Sequence, residues 1–114
     1  MSIKIAPWPV YEADEQIAVT NVLASGNANY WSGTECKLFE QEFATWCGVN
    51  YGLAVFNGTV ALEIALKAAG IQRGDEVIVT SRSFLASAAS VAAIGAIPVF
   101  ADIDFDSGNL TAKT

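Results

Sequence analysis

Apolar positions follow two different rhythms along this chain. Over residues 11–24 they recur every fourth place, Ala18 with Val22 and Val19 with Leu23, which predicts a helix stopped by Gly26. Glu12, Asp14 and Glu15 fall in its first turn, where the helix dipole favours negative charge. Over residues 35–47, Phe39, Phe43 and Trp46 form one heavy stripe, predicting a second helix docked on a core and ended by Gly48. The Ser32 to Glu35 spacing predicts a capping box at its start. From residue 51 the rhythm changes to short continuous apolar runs, 51–56, 76–80 and 97–101, as expected for strands covered on both faces. Between them lie helical segments over 59–69 and about 84–94. The first is apolar on nearly every side, with Glu63 and Lys67 as its charged pair, and is expected to be buried on most of its surface. The second is built largely from Ala and Ser, which permits close approach to a neighbouring sheet or helix. Strand–helix–strand–helix–strand predicts an α/β domain with a parallel sheet. Ahead of all this, Pro7 and Pro9 flank Trp8 and predict an extended arm over residues 1–10.

Composition narrows the function. The 114 residues suit one small domain or part of a larger one. They are 53% hydrophobic and 16% charged, against typical values of about 45–50% and about 25%, so part of the surface expects cover. A net charge of −6 argues against nucleic-acid binding. The chain has no histidine, which excludes a His-based triad or His metal site built from these residues alone, and no metal is expected. Cys36 and Cys47 lie near opposite ends of the second predicted helix, too far apart for a disulfide, and read as free thiols in a reducing cytoplasm. No window is apolar over the ~20 residues a membrane span needs. The N-terminal stretch carries no signal-peptide pattern. The C-terminal stretch runs on after a strand with no closing element, so the chain reads as a fragment.

The strongest candidate site is Asn57-Gly58-Thr59, a small polar break between a predicted strand and a predicted helix. Unpaired N–H groups at a helix start, with the dipole, suit an anion such as phosphate. The plainer reading is that Asn57 caps the helix and Gly58 turns the chain. The break is neither a P-loop nor a dinucleotide fingerprint, since it lacks Gly-Lys-Ser/Thr and G-x-G-x-x-G. Phe84 follows the 76–80 strand, where ligands bind in open α/β sheets. It could stack on a flat ligand, but the bare pattern favours core packing at a helix start. Tyr30 and Trp31 sit in a glycine- and asparagine-rich loop, either as core anchors or as the wall of a site. Asp102 and Asp104, two apart in extended chain, point to opposite faces, which disfavours a joint acid/base role and suits binding of a backbone amide.

Five blocks in order carry a resemblance: F-E-x-x-F-A-x-x-x-G over 39–48, A-V-x-N-G-T-x-A-L-x-x-A-L over 54–66, G-D-E-V-I-V over 74–79, S-F-x-A-S-A over 83–88 and G-A-I-P-V-F-x-D-I-D over 95–104. Together they resemble the DegT/DnrJ/EryC1/StrS family of sugar aminotransferases across nearly the whole chain. That resemblance implies an incomplete large domain of the fold-type-I transferases that use pyridoxal 5′-phosphate (PLP), a three-layer α/β/α arrangement around a mostly parallel sheet. It implies an arm, helix and loop over 1–34 and the first portion of the PLP-binding domain over 35–114. In such a site Asn57, Gly58 and Thr59 would hold the cofactor phosphate and Phe84 would stack on the pyridine ring. Trp31, Ser32 and Gly33 would lie near a sugar-nucleotide pocket. Asn57 stands where the family usually has a small residue such as Ser, and Glu63 where histidine is common.

The family's covalent lysine and the aspartate on the pyridinium nitrogen come from beyond Thr114, so no catalytic residue is assigned in this chain. Lys4, Lys37, Lys67 and Lys113 lie outside any matching motif. The resemblance further implies a complete enzyme that passes an amino group, often from glutamate, to a keto-sugar nucleotide in polysaccharide or secondary-metabolite biosynthesis. That enzyme would be a cytoplasmic homodimer, bound to neither nucleic acid nor membrane, and these residues alone would be inactive. The alternatives are a family member with the lysine replaced, acting as a dehydratase or non-catalytic regulator, a short non-catalytic protein or PLP-fold regulator that needs a second chain to complete its sheet, and, lower, another fold-type-I enzyme such as a desulfurase.

Overall fold

The computed structural model describes residues 8–114. They form two compact units, one running up to Ala54 and the other covering Val55–Thr114. Most of the arm expected over residues 1–10 lies outside the described residues.

The first unit carries α1 (Ala13–Ser25) and α2 (Glu35–Cys47). Helix α1 starts where the Glu12 N–H donates to Glu15 Oε2 at 2.7 Å, so a carboxylate satisfies one orphan donor. Gly26 ends it at φ 73°, its N–H donating to the Leu23 carbonyl. The expected Ser32–Glu35 capping box does not form. Thr34 is the N-cap of α2 and makes no side-chain cap bond. Glu35 is therefore the first helical residue, two positions short of the third-residue place that a capping box on Ser32 requires. The Ser32 N–H donates instead to Asn29 Oδ1 at 3.0 Å.

The Phe39, Phe43 and Trp46 stripe is real, but it stacks on itself instead of docking. Ring centroids are 5.6 Å apart for Phe39–Phe43 and 5.7 Å for Phe43–Trp46, and all three rings are exposed. The expected strand over 51–56 is also overturned. A strand is defined by a hydrogen-bonded partner, and among the described residues the sheet has two members, neither of them this segment. The cover on both faces expected of it is also absent among the described residues: Gly52, Ala54 and Val55 are half-buried, while Tyr51, Leu53 and Phe56 are exposed.

The second unit holds α3 (Gly58–Ala68), β1 (Glu76–Thr80), α4 (Ala86–Ala93) and β2 (Ile97–Ala101). The β-branched run Val77-Ile78-Val79 forms β1, as its propensity predicts. It pairs with β2 in parallel, in the register Glu76 with Ile97 through Thr80 with Ala101. The two turns that feed these strands are locked together, Gly74 N–H donating to the Gly95 carbonyl at 3.0 Å and Ile97 N–H to the Asp75 carbonyl at 2.8 Å. Gly95 combines φ 84° with a close approach to the Arg73 side chain, so a larger residue would be strained twice over.

Helix α4 crosses over between the strands and packs on both, and α3 packs on α4. The core is small: Val79, Val91 and Ala96, flanked by Leu66, Ile71, Val77, Ala88 and Ile94. Val91 is only 2% exposed. The small residues of α4 permit this closeness, and its one fully buried hydroxyl, Ser90, is satisfied by the Ala86 carbonyl at 2.6 Å. Helix α3 does not have the burial its sequence predicts. It has no fully buried residue, because α4 is the one element against it among the described residues.

Candidate functional site

Helix α3 begins in a way that leaves donors free. Asn57 lies in extended conformation, and its Oδ1 accepts from the Val60 N–H at 2.9 Å. Its carbonyl accepts from the Ala61 N–H at 3.1 Å. Among the described residues the N–H groups of Gly58 and Thr59 have no acceptor. Asn57 therefore caps the helix, yet two donors and the Thr59 hydroxyl remain available at the positive end of the dipole. No acidic residue stands in the first turn.

Gly58 is helical rather than left-handed, and a Cβ built on it would meet nothing within 4 Å. Neither backbone conformation nor packing among the described residues calls for glycine there. What glycine leaves is open space at the helix start, where the two donors lie. On its far side the turn is anchored, the Ser90 hydroxyl approaching the Thr59 carbonyl at 3.4 Å in addition to its shorter bond to Ala86. Such an arrangement can accept a phosphate-sized anion without displacing any protein hydrogen bond.

Phe84 does not pack into the core. It is 80% exposed and lines a hollow of about 310 Å³ beyond the carboxyl end of β1, with Thr80, Ser83, Ser87 and Phe100. The hydroxyls of Ser83 and Ser87, both lining residues, lie 2.6 Å apart. Phe84 precedes α4 by two residues, and α4 is the helix on which α3 rests. The fold thus puts the α3 turn and the Phe84 ring in one unit, although none of Asn57, Gly58 and Thr59 lines this hollow.

The loop with Trp31, Ser32 and Gly33 belongs to the first unit. Trp31 is 89% exposed and meets the Tyr30 ring edge-on at 6.1 Å, so it is not a core anchor. Asn29 organises the loop, its Oδ1 accepting from the Trp31 and Ser32 N–H groups at 2.9 and 3.0 Å. Gly33 is obligatory: a Cβ there would collide with the Asn27 carbonyl and come within 2.8 Å of the Asn29 carbonyl. Ser32 and Gly33 line an open hollow of about 770 Å³ against α1, beside Asn21, Val22 and Asn27.

Tyr30 donates its hydroxyl to Glu40 Oε2 at 3.3 Å, and Lys37 Nζ lies 5.5 Å from its ring centroid. The negative charge of Glu40 is the main cause holding the Tyr30 phenol above its ordinary pKa. Asp104 binds a backbone amide, its Oδ1 accepting from the Ser107 N–H at 2.9 Å and the Ser107 hydroxyl at 2.8 Å. Those bonds hold its pKa below the usual carboxylate value. Cys36 and Cys47 are free and exposed, in the first and last turns of α2. Among the described residues no cluster of metal-ligating side chains occurs, and no helix is long and apolar enough to cross a membrane. Sequence reasoning passed over Asn29, Glu40 and Ser90, whose roles depend on partners far along the chain or on an unpredictable loop. The only signal was the F-E pair of the first block, which flags Glu40 without saying what it does.

The family model of the DegT/DnrJ/EryC1/StrS aminotransferases matches residues 9–114. A dTDP-3-amino-3,6-dideoxy-alpha-D-galactopyranose transaminase of Aneurinibacillus thermoaerophilus is 40% identical over 100 residues, covering 88% of this chain and 27% of the relative. Among solved structures, an aminotransferase from Psychrobacter cryohalolentis is 51% identical with a TM-score of 0.91, over 96% of this chain and 28% of that one. NtdA from Bacillus subtilis, solved with the cofactor PMP bound, is 31% identical with a TM-score of 0.75, over 91% of this chain and 25% of that one. The chain spans about a quarter of the length of the proteins it matches. Its crossover of α4 between parallel β1 and β2 is a partial α/β piece of the fold those structures share. The chain belongs to the DegT/DnrJ/EryC1/StrS aminotransferase family.

Proposed function

We propose that these residues form the cofactor-phosphate half of a PLP-dependent aminotransferase that aminates a keto-sugar nucleotide, with glutamate as amino donor. The observation that carries this reading is the α3 turn: two unpaired N–H groups, a hydroxyl and open space over Gly58, capped from behind by Asn57. Gly58 and Thr59 hold the phosphate, Asn57 fixes the turn, and Phe84 covers one face of the cofactor ring. Trp31, Ser32 and Gly33 serve the sugar-nucleotide side. When bound, the cofactor supplies an electron sink through which an amino group can pass from donor to ketone. This chain's part is to bind and orient it. None of its lysines takes the covalent role, and residues 1–114 alone are inactive. The relatives' names support the substrate class, since the transaminase from A. thermoaerophilus is named for a dTDP-sugar product. We place the complete enzyme in the cytoplasm, where free exposed thiols such as Cys36 and Cys47 persist. We propose a homodimer, supported by the exposed apolar stripe on α2.

The test is cofactor titration of the full-length apoprotein. Thr59→Ala with Phe84→Ala removes a charge-assisted hydrogen bond worth ~1.5 kcal/mol and a ring contact worth ~0.5 kcal/mol. PLP affinity should fall about thirtyfold. Unchanged affinity in the double variant refutes the site. Glutamate-dependent turnover of a keto-sugar nucleotide checks the substrate class, and a preference for a keto-inositol refutes it.

A further inference from the structure

We propose that Glu40 is a positioning residue, whose carboxylate ties the segment entering the Asn57-Gly58-Thr59 turn to α2 and, through its second oxygen, ties the Tyr30 loop to the same point. The inference rests on the PLP reading of that turn for its functional consequence, but not for its geometry.

Residues 51–56 lead into the turn without a strand partner. A chain held by a sheet would have its amides fixed every second residue, and this one does not. Among the described residues, the only hydrogen bond that 51–56 makes is from the Ala54 N–H to Glu40 Oε1, at 2.8 Å. A second, independent contact lies beside it. The Gly52 backbone passes so close to α2 that a Cβ would come within 2.7 Å of the Glu40 carbonyl oxygen. Only glycine permits that approach. Two of three consecutive residues are thus pinned at one residue of α2, and Ala54 stands three residues ahead of Asn57.

The carboxylate uses both oxygens. While Oε1 takes Ala54, Oε2 accepts from the Tyr30 hydroxyl at 3.3 Å. Tyr30 adjoins Trp31, Ser32 and Gly33, so one half-buried side chain holds the loop proposed for the sugar nucleotide and the strand-like lead-in to the phosphate turn. A surface acid with a merely solvating role would not divide its oxygens between two neutral donors, one ten residues before it and one fourteen after.

Three variants of the full-length protein test this, read by hydrogen exchange at the Ala54 amide and by PLP titration of the apoprotein. Glu40→Leu keeps bulk but removes both acceptors, so exchange at Ala54 should quicken and PLP affinity should fall by about tenfold or more. Glu40→Gln keeps an oxygen for Ala54 and offers its NH₂ to the Tyr30 oxygen, so it should stay within about threefold of wild type. Tyr30→Phe leaves the Ala54 bond intact and should leave PLP affinity unchanged. Unchanged exchange and affinity in Glu40→Leu would overturn the proposal. So would a Glu40→Gln loss as large as that of Glu40→Leu, because charge rather than the tether would then be at work. A Tyr30→Phe loss of cofactor affinity equal to that of Glu40→Leu would also overturn it. If the wild type itself does not bind PLP, the PLP reading fails, while the exchange rate at Ala54 still decides whether the tether exists.

Discussion

Alanine at position 58 should move two measurable quantities in opposite directions. In the apoprotein, Gly58 is the first residue of α3, its φ is not left-handed, and an added Cβ meets nothing within 4 Å. Alanine therefore fits without strain and lowers the entropy of the unfolded chain, a gain of ~0.4–1 kcal/mol. In the loaded protein that same methyl takes up the open space at the helix start, where the cofactor phosphate is proposed to sit. A phosphate oxygen bonded to the Gly58 and Thr59 amides would sit about 2.9 Å from nitrogen. Displacing it from one donor forfeits ~1.5 kcal/mol, the worth of a hydrogen bond to a charged group, which is about tenfold in affinity. Urea unfolding of the full-length apoprotein reads the first quantity, and PLP titration followed by absorbance reads the second. The opposite signs separate a ligand-binding glycine from a turn glycine, for which substitution would cost stability first. Unchanged or tighter PLP binding by Gly58→Ala would refute the reasoning, since the cofactor would then make no close approach to this turn.

Three further outcomes are expected. Val91→Ala should destabilise by about 2 kcal/mol, because Val91 is 2% exposed and packs on Val79 and Ala96; a shift in urea midpoint worth under ~0.5 kcal/mol, the size expected at a surface site, would contradict that packing. The Asp104 pKa is depressed by the Ser107 amide and hydroxyl, so its contribution is present above the unfolded value of about 3.9 and lost as pH falls through the lower folded value. Asp104→Asn should flatten that acid limb in a pH series of urea titrations, and an unchanged slope would contradict it. The Tyr30 phenol should titrate nearer its ordinary value in Glu40→Gln, since the Glu40 charge is the main cause of its rise; an ultraviolet difference titration that finds no such change would show the contact absent.

Local chemistry accounts for what the sequence alone determined. The β-branched and apolar runs at 76–80 and 97–101, the helical periods between Ala13 and Ala93, and the glycines at 26 and 48 all act through residues a few positions apart. Asn57 as a cap is of the same kind, since its side chain reaches an amide three residues on. Whether a face is buried is a different matter, set by what lies against it. The stripe of Phe39, Phe43 and Trp46 and the apolar surface of α3 promised burial, yet both are open among the described residues. The run at 51–56 had the composition of a strand but no partner, so its backbone turned to the Glu40 carboxylate. Phe84 had the pattern of a core residue and stands in a hollow instead. Tertiary structure decided these points because burial, pairing and the space over Gly58 are relations between distant parts of a chain, and no local pattern carries them.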